Sequence, residues 1–169
     1  MRRPRVNKAL IVYESKYGNT RLVAEKIAEG MSRFSEIEIE LIELKDVKDK
    51  QLDEFDTLLI GSPNHIGSPT RSMQKFIDKL SKSKIENKKG AVFDTYMGKD
   101  FEKAAKKMEK QIGAKVPGLT LVAPGLSIRV NGMKGPVTDG ELPKCEEFGV
   151  RIANEVAEKT KRLFGASDG

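Results

Sequence analysis

Residues 11–20 have the sequence Ile11-Val12-Tyr13-Glu14-Ser15-Lys16-Tyr17-Gly18-Asn19-Thr20. The apolar start of this stretch predicts a buried strand over residues 8–13, and its polar end leads into a helical pattern over residues 20–31. The free N–H groups of a helix amino terminus favour an anion, and Gly18 can take the backbone angles that wrap such groups around one. The loop contains neither a Gly-x-Gly-x-x-Gly nor a Walker A pattern. The segment from Ser15 to Thr20 therefore predicts a site for one terminal phosphate. The alternative is a simple helix cap.

The rest of the chain alternates short apolar runs with longer amphipathic ones. Strands are predicted over residues 37–41, 57–60, 91–93 and 119–130, the last interrupted at Pro124-Gly125, and helices over residues 73–80, 101–112 and 143–164. Strands that alternate with helices imply right-handed crossovers and a parallel sheet covered on both faces. We therefore expect an α/β, doubly wound three-layer sandwich with a five-stranded parallel sheet of order 2-1-3-4-5. Residues 37–41 alternate Ile or Leu with Glu, which places the second strand at an edge.

In this order, ligands bind at the carboxyl ends of the strands, where the first and third strands are neighbours. The third strand is followed by Gly61-Ser62-Pro63-Asn64-His65-Ile66-Gly67-Ser68-Pro69, a polar loop that contains the only histidine of the chain. The fourth strand is followed by Asp94-Thr95-Tyr96-Met97-Gly98-Lys99. Tyr96 offers a flat face on which a planar ligand could stack. For His65 and Tyr96 the alternative is simple exposure in a loop.

Length and composition fit one ordinary domain. The chain has 169 residues, of which 33% are charged, and we expect a basic tail over residues 1–6 and a single domain over residues 7–165. No apolar run is long enough to cross a membrane, so a cytoplasmic location is expected. Although the net charge is +6, glutamates interrupt the lysines and no aromatic residues alternate with them, so nucleic acid is not an expected partner. Cys145, the one cysteine, shares a helical stripe with Phe148, Ile152 and Val156, which predicts a buried, inert thiol and no metal site.

Taken together, the three loops resemble those of the flavodoxin family. The resemblance rests on residues 11–20, on Ile60-Gly61-Ser62-Pro63 and on the segment after the fourth strand, with a weaker match over residues 135–141. It implies FMN as cofactor, with the phosphate on the first loop and the isoalloxazine ring between the other two. Carried over by position, the cofactor-binding residues would be Ser15, Lys16, Tyr17, Gly18, Asn19 and Thr20 for the phosphate, Pro63, Asn64, His65, Ile66 and Gly67 on one side of the ring, and Thr95, Tyr96, Met97 and Gly98 on the other.

The resemblance implies a low-potential electron carrier, with no catalytic residues of its own. The alternative is an enzyme of the same fold, an FMN-dependent NAD(P)H:quinone oxidoreductase or a related flavin oxidoreductase. A third possibility is a binding module that has lost its flavin, against which the intact first loop argues. The chain departs from typical flavodoxins in having no tryptophan and a positive net charge. We therefore expect an acidic redox partner, such as a ferredoxin-like donor or an acidic patch on a reductase, while the oligomeric state stays open.

Overall fold

A computed structural model describes the backbone of residues 5–165 and the side chains of residues 5–157. Within that part of the chain the strands are β1 (Asn7–Tyr13), β2 (Ile37–Glu43), β3 (Thr57–Pro63), β4 (Lys88–Tyr96), β5 (Leu119–Leu121) and β6 (Leu126–Arg129). The α-helices are α1 (Asn19–Met31), α2 (Asp49–Glu54), α3 (Arg71–Ser81), α4 (Lys103–Lys115) and α5 (Leu142–Gly165), and a 3-10 helix (Leu44–Asp46) precedes α2.

The strands form one parallel sheet of order β2-β1-β3-β4-β5, and β6 also pairs with β4. β5 pairs with residues 88–90 of β4, and β6 pairs with residues 93–96 of the same strand. Together they fill the fifth position of the sheet, on either side of the interruption predicted at Pro124-Gly125. The predicted order 2-1-3-4-5 is therefore confirmed, and β2 lies at the edge as expected.

Helices cover both faces of the sheet, which confirms the predicted three layers. β1 contributes buried side chains to both faces, as a continuous apolar strand in a parallel sheet does. Its Ile11 packs with the buried stripes of α1 and α5, and its Val12 packs with those of α3 and α4. The predicted stripe of α5 is confirmed, because Cys145 is fully buried on that helix. Burial raises the pKa of the Cys145 thiol to about 12, which keeps it protonated and unreactive.

The bounds of β3 and β4 and one connection differ from the sequence-based expectation. β3 continues through Gly61 and Ser62 to Pro63, and β4 extends over residues 88–96 rather than 91–93. Asp94, Thr95 and Tyr96 therefore belong to a strand and not to the loop after it. The short helix α2 and the 3-10 helix before it were not predicted, since only Leu52 of α2 is buried and so short an element shows no helical period.

The amino-terminal tail was predicted over residues 1–6, and its first four residues lie outside the described residues. The Arg5 guanidinium donates a hydrogen bond to the Asp56 carboxylate at 2.6 Å, so the described end of the tail contacts the start of β3. The division into a tail and one domain over residues 7–165 stays a prediction. None of the helices within residues 5–165 has both the length and the apolar character that crossing a membrane requires.

Candidate functional site

Three loops meet at the carboxyl ends of β1, β3 and β4, which are neighbours in the sheet. We define loop 1 as residues 14–18, loop 2 as residues 64–70 and loop 3 as residues 97–102. The predicted site residues lie on these loops or at the adjoining ends of β3, β4 and α1, so the fold gathers all of them at one edge of the sheet. Pro63, Thr95 and Tyr96 reach this edge as the last residues of their strands.

Loop 1 ends at Gly18, the N-cap residue of α1, which has no side chain to cap the helix. Gly18 has a φ of +90°, a left-handed conformation that disfavours other residues, and a Cβ there would meet no atom within 4 Å. The Ser15 hydroxyl accepts hydrogen bonds from the amides of Gly18, at 3.1 Å, and Arg21, at 3.3 Å. No described residue accepts a hydrogen bond from the amides of Asn19 or Thr20. The amino terminus of α1, directly after loop 1, therefore has two N–H donors without a partner among the described residues, as an anion site at a helix terminus does.

Thr20 connects α1 to β4. Its hydroxyl lies 2.9 Å from that of Thr95, and both side chains are buried. A threonine hydroxyl has one donor and two acceptor positions. The Thr95 contact therefore leaves Thr20 with capacity for a further hydrogen bond at the end of α1.

Loop 2 contains a tight turn whose tip is exposed. The amide of His65 donates to the carbonyl of Ser68 at 2.7 Å, and the amide of Ser68 donates back at 3.1 Å. The two central residues, Ile66 and Gly67, both have positive φ, +49° and +77°, as a type I′ turn requires. A β-branched residue is strained in that region, and the Ile66 side chain is fully exposed. His65 is exposed as well, so loop 2 exposes an imidazole and an apolar side chain to solvent at this edge of the sheet.

Hydrogen bonds join loop 2 to the other two loops. The Asn64 amide donates to the carbonyl of Thr95, and its side-chain Nδ2 donates to Asp100 in loop 3, both at 2.8 Å. The hydroxyl of Thr70, the N-cap residue of α3, donates to the Glu14 carboxylate in loop 1. The side-chain oxygen of Asn64 is the one buried side-chain polar atom, among those described, without a hydrogen-bond partner. A bound group with a donor near loop 2 could satisfy this oxygen.

Two aromatic side chains, Tyr96 at the end of β4 and Phe101 in loop 3, lie next to each other at this edge. The ring of Tyr96 contacts that of Phe101 edge to face, with centroids 5.4 Å apart. Met97 and Phe101 are 43% and 55% exposed. Such flat or polarisable apolar surfaces suit a planar ligand.

Asp94 is a charged residue of β4 that lies just before loop 3. It is fully buried. Its carboxylate accepts hydrogen bonds from the Ser127 hydroxyl, at 2.5 Å, and from the amide of Ala105 in the first turn of α4, at 2.8 Å. Desolvation by burial raises the pKa of Asp94 to about 6, against the lowering effect of these hydrogen bonds. Asp94 therefore joins β4, β6 and α4 and does not belong to the exposed charge around the loops.

The charged groups that remain exposed around the loops are mainly positive. Lys16, Arg71 and Lys99 are exposed, and none of them forms an ion pair with a described carboxylate. On the acidic side, Asp100 pairs with Lys103 at 3.0 Å, and Glu14 accepts the hydrogen bond from Thr70. The amino group of Lys107 in α4 donates to the Ser68 hydroxyl at 2.7 Å, so the basic face of α4 adjoins loop 2.

Sequence reasoning missed the residues that connect the loops, namely Glu14, Thr70, Asp94 and Asp100. The only available signal was for Thr70, a threonine directly before an amphipathic helix, which is typical of an N-cap. The others act through contacts between distant parts of the chain.

The sequence and the fold of this chain are both similar to those of known proteins. The model of the family described as a flavodoxin domain matches residues 10–130. The chain is 30% identical, over 159 residues, to a flavodoxin from Clostridium saccharobutylicum, covering 93% of this chain and 99% of that protein. Its structure is similar to that of a flavodoxin from the domain Archaea, with a TM-score of 0.76 and 32% identity over 89% of this chain and 99% of the other. Flavodoxin 2 from Bacillus cereus gives a TM-score of 0.75 and 27% identity, over 88% and 99% of the two chains.

Proposed function

This chain belongs to the flavodoxin family, and from that premise we propose that loops 1, 2 and 3 form its FMN site. As a flavodoxin it is an FMN-binding electron carrier. When bound, FMN supplies the redox centre, which takes up and gives back electrons. What the chain itself contributes is a place to bind the phosphate, surfaces that flank the ring, and a docking surface for other proteins.

Loop 1 holds the phosphate in this proposal. The observation that supports this assignment is that the amides of Asn19 and Thr20 have no acceptor among the described residues and lie beside the open space at Gly18. The helix dipole of α1 adds a favourable field for a dianion. The phosphate would also contact the hydroxyls of Ser15 and Thr20 and the backbone of Lys16 and Tyr17. Neutral donors therefore hold this part of the cofactor.

Loops 2 and 3 flank the ring. Asn64 and Thr95 are hydrogen-bonded through their backbones, so the two ring-binding segments are fixed against each other at that point. Pro63, His65, Ile66 and Gly67 lie on one side, and Tyr96, Met97 and Gly98 on the other. The exposure of Ile66, Met97 and His65 supports this assignment, because a planar apolar ligand would cover them.

A carrier is favoured over a quinone reductase of the same fold. The connection between β5 and β6 is four residues long, so no long insertion at this point could build a second substrate pocket above the ring. The flavodoxin names of the relatives agree with the carrier. The cytoplasmic location expected from the sequence is part of the same proposal.

The redox partner in this proposal is an acidic protein. Lys16, Arg71 and Lys99 surround the loops and have no carboxylate partner among the residues that the structure describes, and Lys103 and Lys107 lie beside loop 2. A protein with an acidic docking surface would be steered towards this edge. A ferredoxin-like donor or an acidic patch on a reductase has the required charge.

The lysines between residues 79 and 89 contribute little to this field. They lie at the end of α3 and the start of β4, and β4 is nine residues long, so its two ends are separated by roughly 26 Å. That distance exceeds the Debye length of about 8 Å at physiological ionic strength.

We expect reduction of the FMN-loaded protein by an acidic donor to slow as salt is added. Stopped-flow measurement of the second-order rate constant over ionic strength checks this. Lys99→Gln should lower the rate constant about twofold or more at low salt and weaken its salt dependence. Lys84→Gln, an exposed lysine at the opposite end of the sheet, is the matched control and should behave like the parent. A rate constant that is flat or rises with salt would rule out an acidic partner.

A further inference from the structure

Residues 131–136 form a turn between β6 and α5, here called turn 131–136. The amide of Asn131 donates to the carbonyl of Pro136, and the amide of Gly135 donates to that of Gly132, both at 2.9 Å. The hydroxyl of Thr138 donates to the Asn131 side chain at 2.8 Å. Val130 and Val137 close the base of the turn through an isolated antiparallel bridge. The turn is thus fixed by its own hydrogen bonds.

Turn 131–136 packs against the first residue of α1. A Cβ placed on Gly135 would lie 2.4 Å from Oδ1 and 2.7 Å from Nδ2 of Asn19. Such distances are too short for any real contact, so the Asn19 side chain would have to move. The φ of Gly135 is +90° as well. Glycine at this position lets the backbone of the turn lie directly against the Asn19 carboxamide.

No described residue forms a hydrogen bond with the Asn19 carboxamide. Its orientation is therefore set by packing, and Gly135 is the group against which it packs. Orientation matters because one end of a carboxamide donates hydrogen bonds while the other end only accepts them. Beside an anion, only the Nδ2 end stabilises the ligand.

We propose that Gly135 is a positioning residue for the cofactor phosphate, acting by holding the Asn19 carboxamide with its donor group available at loop 1. This inference rests on the proposed assignment of loop 1 to the phosphate. It adds a fourth segment, distant in sequence, to the three loops of the site.

Gly135→Ala tests the proposal through two ligands that differ only in the phosphate. We expect the FMN dissociation constant to rise about tenfold, as for the loss of one hydrogen bond to a charged group. Riboflavin affinity should stay within about twofold of the parent value, since riboflavin has no phosphate to be held. Both constants are obtained by fluorescence titration of the FMN-free protein, so the readout is binding and not electron transfer.

Gly140→Ala is the matched control for backbone strain. Gly140 has a φ of +87°, close to that of Gly135, but a Cβ there would meet no atom within 4 Å. Both variants should lose stability in thermal unfolding, because alanine is strained at a positive φ, while only Gly135→Ala should lose FMN affinity selectively. A second background, Asn19→Ala, removes the side chain that Gly135 contacts. In that background Gly135→Ala should have no further effect on FMN affinity.

Three results would overturn the inference. The first is equal FMN affinity in Gly135→Ala and Gly140→Ala, and the second is an equal loss of FMN and riboflavin. The third is a selective FMN loss in Gly135→Ala that persists in the Asn19→Ala background, which would show that Gly135 does not act through Asn19. Failure of the proposed function has a different signature, since the parent protein would then bind FMN and riboflavin equally or bind neither.

Discussion

Thr20→Val should weaken FMN binding at least about tenfold while leaving riboflavin binding nearly unchanged. A hydrogen bond to a charged group contributes roughly 1.5–3 kcal/mol, which corresponds to about 10- to 150-fold in affinity. The substitution keeps the shape of the side chain and removes the hydroxyl. It also removes the contact with Thr95, but that loss affects both ligands, so the ratio of the two affinities isolates the phosphate. Parallel titrations of the FMN-free variant give that ratio.

The matched control for this substitution is Thr120→Val. Thr120 is an exposed threonine on β5, so the same chemical change there should alter neither affinity. Equal losses of FMN and riboflavin in Thr20→Val would mean that the Thr20 hydroxyl supports the fold and does not bind the phosphate.

Asp94 should make the protein less stable as the pH rises from about 4 to about 6. Burial raises the pKa of this carboxyl from its ordinary value of 3.8 to about 6 in the folded protein. Between these two pH values the folded state binds more protons than the unfolded state, so the free energy of unfolding falls with rising pH. At 1.36 kcal/mol for each pKa unit, the loss is about 3 kcal/mol and is complete above the folded pKa.

Asp94→Asn removes this titration. The measurement is the free energy of unfolding of variant and parent, obtained by denaturant unfolding at pH values from 4 to 6.5. The variant should become more stable relative to the parent as the pH rises over this range. Asp78→Asn should show a difference that is nearly constant over this range and changes in the opposite direction only below about pH 4, because the Lys115 ammonium lowers the pKa of the Asp78 carboxyl and the parent loses that contribution only as the pH falls towards that lowered pKa. A difference between Asp94→Asn and the parent that does not vary with pH would show that Asp94 titrates normally in the folded state.

The sheet and the position of the site could be predicted from the sequence because both depend on local patterns. β1 is apolar from Ala9 to Tyr13 and β2 alternates, which distinguishes a central strand from an edge strand. Pro124-Gly125 marks the interruption between β5 and β6. Once the order of the strands follows from the alternation of strands and helices, the positions of the three loops follow as well.

The ends of β3 and β4 could not be predicted in this way. Ser62 and Asp94 are polar and yet fully buried, because their partners come from elsewhere in the chain. Ser62 accepts a hydrogen bond from the Thr70 amide, and Asp94 binds Ser127 and the start of α4. A polar residue after an apolar run is typical of a loop, and only tertiary contacts reverse that preference. The contact between Gly135 and Asn19 could not be predicted from the sequence for the same reason.

Binding of one FMN, through its phosphate and its ring, at the carboxyl edge of the sheet is tested most directly by titration of the FMN-free protein with FMN, followed by the visible spectrum. We predict that the flavin absorption bands shift and that the shift saturates at one equivalent of FMN per chain. Flavin bands that stay those of free FMN throughout the titration would contradict the account.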